Sequence, residues 1–416
     1  MVVSGRALIA FALGIVFYTA FKGAYYFLAN RLQELGLLIT FILFAYSALV
    51  ASLNVKEKNL NWSTWIFLTL ALVGYTFVLP GYQFSSHVGV SMLPSIMASR
   101  EFLIVFIAPS LYFLYRIGFS AEKIIDIVML VLALIVFSYI FHYFRIDLVA
   151  AYNSPDPTIS GMTTHDEARG YRLKPPLVAV YMTSIIAAYK LVTSKETLSK
   201  IFWALAFFAT LYVWYLVQAR APTAMLIIGV LFYHFWFARK PRLGLLFLSL
   251  CVIIPAYILA VEQYFAVMKT ADDGVRYKAY MIAINTFMDY PFFGFGQQSA
   301  ATVTEQEIFW YKFYSSDLGL IGIAFKYGAV GAFLYVFLLI TALVKAVKTN
   351  WLFLQYRGHA NIFLVASIAK LSTDLFNTLL GVPYVYIEGL THGAIIIALS
   401  GIYKIEFSQN RTDVKR

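Results

Sequence analysis

Runs of roughly 20 mostly apolar residues recur along almost the whole chain. A helix needs about 20 such residues to cross the hydrocarbon core of a bilayer, where its backbone polar groups are satisfied internally. Charged residues make up 13% of the 416 residues, whereas a soluble globular domain has about 25%. The sequence therefore predicts an all-α polytopic membrane protein and argues against a soluble globular fold.

About twelve transmembrane helices are predicted by this criterion. They lie near residues 7–28, 35–53, 65–84, 101–118, 124–143, 177–193, 201–219, 222–238, 243–263, 317–344, 361–380 and 384–403. No internal repeat, low-complexity tract or separate soluble domain interrupts them. Residues 1–416 are therefore predicted to form a single integral membrane domain.

The orientation follows from the positive-inside rule, because Lys and Arg are retained in the loops on the cytoplasmic side. Alternate loops are rich in these residues. They are Lys56, Lys58, Arg116, Lys123, Lys195, Lys200, Arg239, Lys240, Arg242, Lys345, Lys348 and Arg357, followed by the tail NRTDVKR. Both termini are thus predicted to be cytoplasmic in a bacterial inner membrane. Two long loops, 145–176 and 264–316, then face the periplasm.

The outer loops nevertheless carry basic residues, which oppose the topology signal. They are Arg145, Arg169, Arg172, Lys174, Arg220, Lys269, Arg276, Lys278 and Lys312. We interpret them as ligands for an anionic group at the outer surface. The alternative is local ion pairing or contact with lipid headgroups. The net charge of +11 does not indicate a nucleic-acid partner, since basic loops beside anionic lipid explain it.

The segment DGVRYKAYMIAINTFMDYPFFGFGQQ, from Asp273 to Gln298, is too short and too polar to span the membrane. Its apolar residues recur at helical spacing, which predicts an amphipathic helix on the outer surface that ends at Pro291. Arg276 falls in the first turn, where a helix N-terminus and a guanidinium together can hold phosphate oxygens. The alternative is an interfacial helix with a solvated arginine.

Three stretches, in this order along the chain, resemble the O-antigen ligase/polymerase family. They are LVQARAPTAMLIIGVLF, RYKAYMIAINTFMDYPFFGFG and YSSDLGLIGIAFKYGAVGAFLYVFLLI. The second resembles the family's helix that opens at an arginine and ends in Phe, Pro and a Gly-x-Gly turn. The first stretch resembles the family's segment with an arginine at the outer end of a span. The third resembles the family's segment that leaves the large outer loop. The resemblance covers residues 200–345 in detail.

This resemblance implies a membrane glycosyltransferase of the C-type architecture, with a large periplasmic loop containing amphipathic helices. Such enzymes use glycans linked through pyrophosphate to undecaprenol. Ligases transfer the glycan to lipid A core, and polymerases transfer it to another lipid-linked repeat unit. The ligases usually have a histidine where this chain has Ser316 and Asp317. A polymerase is therefore favoured, with a ligase as the alternative and a flippase for the same lipid-linked sugars as an alternative of another class.

The predicted site residues follow from the chemistry of a pyrophosphate leaving group. Arg276 and Arg220 are expected to stabilise it, because a guanidinium is always charged and binds two oxygens in one plane. The expected substrate-binding residues around them are Lys278, Arg169, Arg172, Tyr314, Ser316 and Asp374. No metal and no other cofactor is required by this arrangement. Arg220 has an alternative interpretation, as an anchor at the end of a span.

The acceptor hydroxyl needs a group that orients it or removes its proton. Asp317 is the candidate, although Ser-Ser-Asp before an apolar run is also a good helix N-cap. Asp374 is the alternative base, since Lys370, Asp374 and Asn377 share one face of a predicted span. The simpler interpretation of that face is a buried ion pair that fixes helix packing.

The expected partners are the lipid-linked donor and acceptor glycans, membrane lipid, and a copolymerase that regulates chain length. The outer loop 145–176 is expected to recognise repeat-unit sugars, with Tyr152 and Tyr171 offering stacking faces. A metal site at His165, Asp166 and Glu167 is disfavoured because contiguous loop residues rarely converge on one ion.

Overall fold

A computed structural model describes residues 2–26, 30–54, 71, 73–155, 157–166, 170–217, 274–296, 308, 315–379 and 386–413. Helices form most of this part of the chain. In chain order they are α1 (Val2–Ala20), α2 (Asn30–Asn54), α3 (Leu79–Val88), α4 (Met92–Ala98), α5 (Ile107–Arg116), α6 (Ala121–Tyr143), α7 (Leu148–Tyr152), α8 (Pro157–Ser160), α9 (Leu177–Thr193), α10 (Thr197–Val217), α11 (Gly274–Asp289), α12 (Gly319–Arg357), α13 (Ile362–Leu379) and α14 (Tyr386–Asp413). Short 3-10 helices occupy Gly23–Tyr26, Arg100–Phe106 and Ser315–Leu318, and a π-helical turn occupies Gly74–Val78.

Five helical segments among the described residues are long and apolar enough to cross a membrane. They are Leu32–Val50, Ala121–Tyr143, Thr197–Val217, Gly319–Arg357 and Glu388–Ser408. A sixth span is formed if Met92–Ala98 and Arg100–Arg116, which are bent by 48°, count as one broken helix. The predicted all-α polytopic membrane protein is therefore confirmed. The count of twelve stays a prediction, and the predicted spans at 222–238 and 243–263 lie outside the described residues.

Two segments differ from the prediction. The span predicted at 317–344 continues as α12 to Arg357, where Gly358 caps it with a left-handed φ of 71°. Lys345 and Lys348 therefore lie on the helix rather than in a loop. The segment 145–176, predicted as a loop, contains two strands, since Thr163–Asp166 (β1) pairs antiparallel with Gly170–Leu173 (β2). We call this pair of strands the hairpin.

The hydrophobic core runs through the bundle from α1 to α14. Helices α6 and α9 are its most buried parts, and the central residues of α9 are shielded over nearly three turns. The hairpin is fixed to this core by Tyr139, whose hydroxyl donates to the carbonyl oxygen of Leu173 over 2.9 Å. The long helix α12 packs against both α13 and α14, and α13 packs against α9. These contacts bring side chains from four helices together in the bundle interior.

Candidate functional site

Helix α11 begins at Gly274, so Arg276 lies in its first turn as the sequence predicts. Ala279 and Ala283 on one edge are buried against α12 and the turn before it, in a small cluster with Leu318 and Phe325. Alanines on this edge allow the two helices to approach closely. The helix is therefore held on the protein by one narrow face.

The other edge of α11 remains exposed. Met281 and Met288 are exposed apolar side chains, and Lys278 is exposed as well. A helix with one face on the protein and exposed methionines on another suits the boundary between membrane and water. The location of α11 at the outer membrane surface stays a prediction.

Helix α12 is broken at Gly328, where φ is 66° and ψ is −174°. Such a break removes hydrogen-bond donors from the carbonyls of the preceding turn, and those groups cannot remain unsatisfied in a membrane interior. The turn that follows α11 supplies the donors. Phe295 N donates to Phe325 O over 2.7 Å, and Gly296 N donates to Lys326 O over 3.0 Å.

The same turn also accepts hydrogen bonds from the helix beyond the break. Ala329 N donates to Pro291 O over 2.8 Å, and Val330 N donates to Phe292 O over 3.3 Å. The Pro-Phe-Phe-Gly-Phe-Gly turn and the broken helix therefore satisfy each other's backbone groups. We call this arrangement, residues 291–296 against residues 325–330, the helix-break junction.

A third element closes the helix-break junction. His87 of α3 places Nδ1 3.1 Å from Phe295 O, and its ring centroid lies 3.9 Å from that of Tyr290. Tyr75 donates its hydroxyl to Tyr327 O over 2.7 Å. Sequence analysis did not identify these two residues, because more than 200 positions separate them from their partners and no local pattern links them.

Asp317 lies in the 3-10 turn Ser315–Leu318, directly before α12. The N-cap position of α12 is Leu318, with no side-chain cap hydrogen bond, so the N-cap that the sequence suggests for Asp317 falls one residue later. Because Leu318 packs against Ala279 and Ala283, this turn contacts α11. The backbones of Arg276 and Asp317 thus belong to contacting elements.

The other predicted site residues are described to different extents. Arg220, Arg169 and Tyr314 lie outside the described residues, and for Arg276, Ser316 and Asp317 only the backbone is described. No group of three or more His, Cys, Asp or Glu side chains within the described ranges is placed to hold a metal ion.

Arg172 on β2 has a contact within the protein. Its Nη1 donates to the carbonyl oxygen of Val217 over 3.1 Å, at the end of α10 as described. Arg172 therefore anchors the hairpin to α10.

Tyr152 and Tyr171, predicted as stacking faces for sugars, pack on each other with ring centroids 5.3 Å apart.

Asp374 forms the predicted ion pair with Lys370, one turn earlier on α13. A second ion pair lies beside it, with Lys22 Nζ 3.4 Å from Glu388 Oε1. Glu388 is buried at the start of α14, and its carboxylate is within electrostatic range of both Lys370 and Asp374. Lys22 and Lys370 lie within predicted spans, whereas Glu388, which sequence analysis missed, is near a span end. We call these four residues the buried charge cluster.

Polar side chains of three helices surround the buried charge cluster. The hydroxyl of Tyr335 on α12 lies close to Gly389 of α14, and Thr378 of α13 donates its hydroxyl to the carbonyl oxygen of Asp374 over 2.7 Å. His392 Nε2 lies 3.2 Å from Ser367 Oγ. Because charges at this depth are costly, they usually mark a functional cavity or a structural pair.

Comparison with known proteins gives one match. The family model described as O-Antigen ligase matches residues 205–336, from α10 through α11 to the middle of α12. No curated protein and no solved structure matches the chain. The matched residues include Arg220, Arg276 and Asp317, whereas the buried charge cluster lies outside them. The match supports the resemblance stated above: residues 205–336 are similar to the O-antigen ligase family, and the match does not distinguish a polymerase from a ligase.

Proposed function

We propose that this protein is a polymerase of surface polysaccharide, acting at the periplasmic face of the bacterial inner membrane. It joins undecaprenyl-pyrophosphate-linked oligosaccharide repeat units into O-antigen or a related glycan. The observation that carries this proposal is α11, a helix that has Arg276 in its first turn and is followed by a turn hydrogen-bonded to the broken helix α12. This structure lies within the segment that matches the O-antigen ligase family.

The donor side of the reaction requires stabilisation of the leaving pyrophosphate. The first turn of α11 offers free backbone N–H groups together with the guanidinium of Arg276, a combination that favours phosphate oxygens. Lys278 follows on the same helix with an exposed side chain, and Arg220 and Arg169 are the further cations we assign to this site. These positive charges neutralise the leaving group without a metal ion.

The acceptor side requires a group that orients a sugar hydroxyl. Asp317 is suited to this task because its turn contacts α11, which carries Arg276. Ser316 and Tyr314 precede it and are proposed to contact the sugar. The membrane-bound product is extended by one repeat unit in each cycle, and a copolymerase is the expected regulator of its length.

The choice of polymerase over ligase rests on Ser316-Asp317, which stands where ligases of this family usually have a histidine. A ligase acting on lipid A core is the second candidate, since the matching family model is described as O-Antigen ligase. Deleting the gene separates the two. Loss of a polymerase leaves surface glycan of a single repeat unit on lipid A core, and loss of a ligase leaves lipid A core without glycan. Loss of a flippase would instead leave the lipid-linked units in the cytoplasmic leaflet.

Asp317→Asn is expected to lower glycan extension about 100-fold, the lower range for loss of an acid–base group. Asparagine has nearly the same shape and can still accept hydrogen bonds, so expression and thermal stability should remain unchanged. Extension is measured as the length distribution of glycan made from purified lipid-linked units. Normal extension by this variant would remove Asp317 from the acceptor site.

A further inference from the structure

A partly open groove of about 320 Å³ lies between α5, α12 and α14. Its lining is apolar except for Thr76, Tyr112 and Lys345. The lining residues of α12 extend from Leu338 to Lys345, about 10 Å along the helix axis. One leaflet of a bilayer's hydrocarbon core is about 15 Å thick. The groove therefore fits within one leaflet and is long enough to hold part of an acyl chain.

Two irregular helical turns form one wall of this groove. Thr76 belongs to the π-helical turn Gly74–Val78, and Phe102 and Phe106 belong to the 3-10 helix Arg100–Phe106. Such turns inside helical segments often mark functional positions. The groove is therefore shaped in part by departures from regular α-helix.

The three helices run in the same direction past the groove. Phe102, just before α5, contacts Tyr327 near the start of α12, with ring centroids 5.9 Å apart. At the other end of α12, Tyr356 stacks on Phe407 of α14, with ring centroids 5.2 Å apart. The groove therefore has one end toward the C-terminal ends of all three helices. We call it the basic end.

Three cations lie at the basic end or just beyond it. Lys345 lines the groove directly. Arg116 is one turn beyond Tyr112 on α5, and its Nη2 donates to the Tyr112 hydroxyl over 3.0 Å. Lys404 is exposed and lies one turn beyond Gly401 on α14, so it continues the helix face that lines the groove.

This charge decides which lipid the groove prefers. Lipid chains are as apolar as its walls, so the walls alone give no preference for one lipid over another. The preference comes from the basic end, where the cations attract a head group with net negative charge. Glu406, two residues after Lys404, is within electrostatic range of Arg357, which offsets its charge. No acid lines the groove in the part of the chain that the structure describes.

The basic end is far from the proposed site of glycan transfer. At the usual helical rise, Lys345 lies about 25 Å along α12 from Gly328, where the helix-break junction holds α11. A polyprenol chain whose pyrophosphate is bound near Arg276 would fill the apolar walls but would leave the three cations without an anion. The predicted topology places the basic end at the cytoplasmic face, where basic pockets between membrane helices bind anionic lipids.

We propose that the groove binds an anionic phospholipid of the cytoplasmic leaflet. One acyl chain lies between α5, α12 and α14, and the phosphate lies among Lys345, Arg116 and Lys404. The arginine offers planar donors to the phosphate oxygens, and the two lysines extend along the apolar surface to the head group. The lipid joins three helices and so stabilises the folded protein. This inference does not depend on the proposed glycan transfer.

The test measures lipid binding to the purified full-length protein in detergent by native mass spectrometry. The probes are phosphatidylglycerol and phosphatidylethanolamine with the same acyl chains. Wild-type protein is expected to retain one phosphatidylglycerol at concentrations where it retains no phosphatidylethanolamine. Lys345→Gln and Lys404→Gln should each weaken phosphatidylglycerol binding about fivefold, the contribution of one basic residue beside anionic lipid. Lys200→Gln is the matched control and should bind normally, since this exposed lysine lies on α10, which does not line the groove.

A second substitution tests the acyl chain rather than the head group. An added Cβ at Gly401 would meet no atom within 4 Å, so Gly401→Leu should fill the groove without a clash. We expect it to weaken phosphatidylglycerol binding at least about tenfold although all three cations remain, because the displaced chain has no other groove to enter. Gly14→Leu on α1 is the matched control, since an added Cβ there also meets no atom within 4 Å.

Thermal unfolding in detergent provides a second readout. Phosphatidylglycerol should raise the unfolding temperature of the wild type and of both controls, but not that of Gly401→Leu. Equal retention of the two phospholipids, or equal losses in Lys200→Gln and Lys345→Gln, would identify general lipid contact and overturn the inference. Displacement of phosphatidylglycerol by an equal concentration of undecaprenyl phosphate would also overturn it, by assigning the groove to polyprenol.

Discussion

Arg276→Ala is expected to lower glycan extension by about 100- to 1,000-fold, the effect of removing one group that stabilises developing negative charge. Arg276 lies in the first turn of α11. We propose that its guanidinium and the helix N-terminus together stabilise a pyrophosphate that gains charge as the glycosidic bond breaks. Extension is measured with purified protein and lipid-linked repeat units. Insertion into the membrane and thermal stability should remain normal.

Two further variants make this result specific. Arg276→Lys retains the charge but not the planar pair of donors, so it should recover only part of the rate. Lys348→Ala removes a cation from the far part of α12 and should have no effect. Full extension by Arg276→Ala would show that α11 serves as an interfacial anchor and that the pyrophosphate is bound elsewhere.

Gly328→Ala is expected to destabilise the protein by about 3 kcal/mol or more, in the range of severe core substitutions. The residue has a left-handed φ of 66°, and an added Cβ would overlap the carbonyl carbon and oxygen of Phe292. The helix-break junction would have to separate, which would break the four backbone hydrogen bonds across it at a depth where water does not replace them. Extension should be lost together with stability, because α11 is attached through this junction.

Gly358→Ala is the matched control for this substitution. Gly358 has nearly the same φ, 71°, at the other end of the same helix, but an added Cβ would meet no atom within 4 Å. Its cost should therefore be only the backbone term of about 1 kcal/mol. Thermal unfolding in detergent compares the two variants. Equal losses would mean that the close approach at the helix-break junction contributes nothing to stability.

The sequence predicts well what depends on local pattern. The run of helix-spaced apolar residues followed by Pro291 predicted α11 almost to its ends, Gly274 and Asp289. The spacing of Lys370 and Asp374 predicted their ion pair, because residues four apart share a helix face. The apolar runs predicted the class of fold for the same reason. Each of these features requires only neighbours in the chain.

Features made by distant segments were not predictable in this way. The break at Gly328 looks in the sequence like one more glycine in an apolar run, and only the turn after α11 explains it. The ion pair between Lys22 and Glu388 joins residues at nearly opposite ends of the chain. Glu388 was overlooked because a single acid near a span end is ordinary in loops. Its burial depends on helices that no local pattern brings together.

The most direct test of the proposed function is a reconstitution. The purified protein in proteoliposomes receives undecaprenyl-pyrophosphate-linked repeat units as both donor and acceptor, with lipid A core present in a parallel reaction. We expect a ladder of lipid-linked glycans in the first reaction, each longer than the last by one repeat unit, and release of undecaprenyl pyrophosphate. Unchanged single units, with glycan appearing only on lipid A core in the second reaction, would contradict a polymerase and identify a ligase.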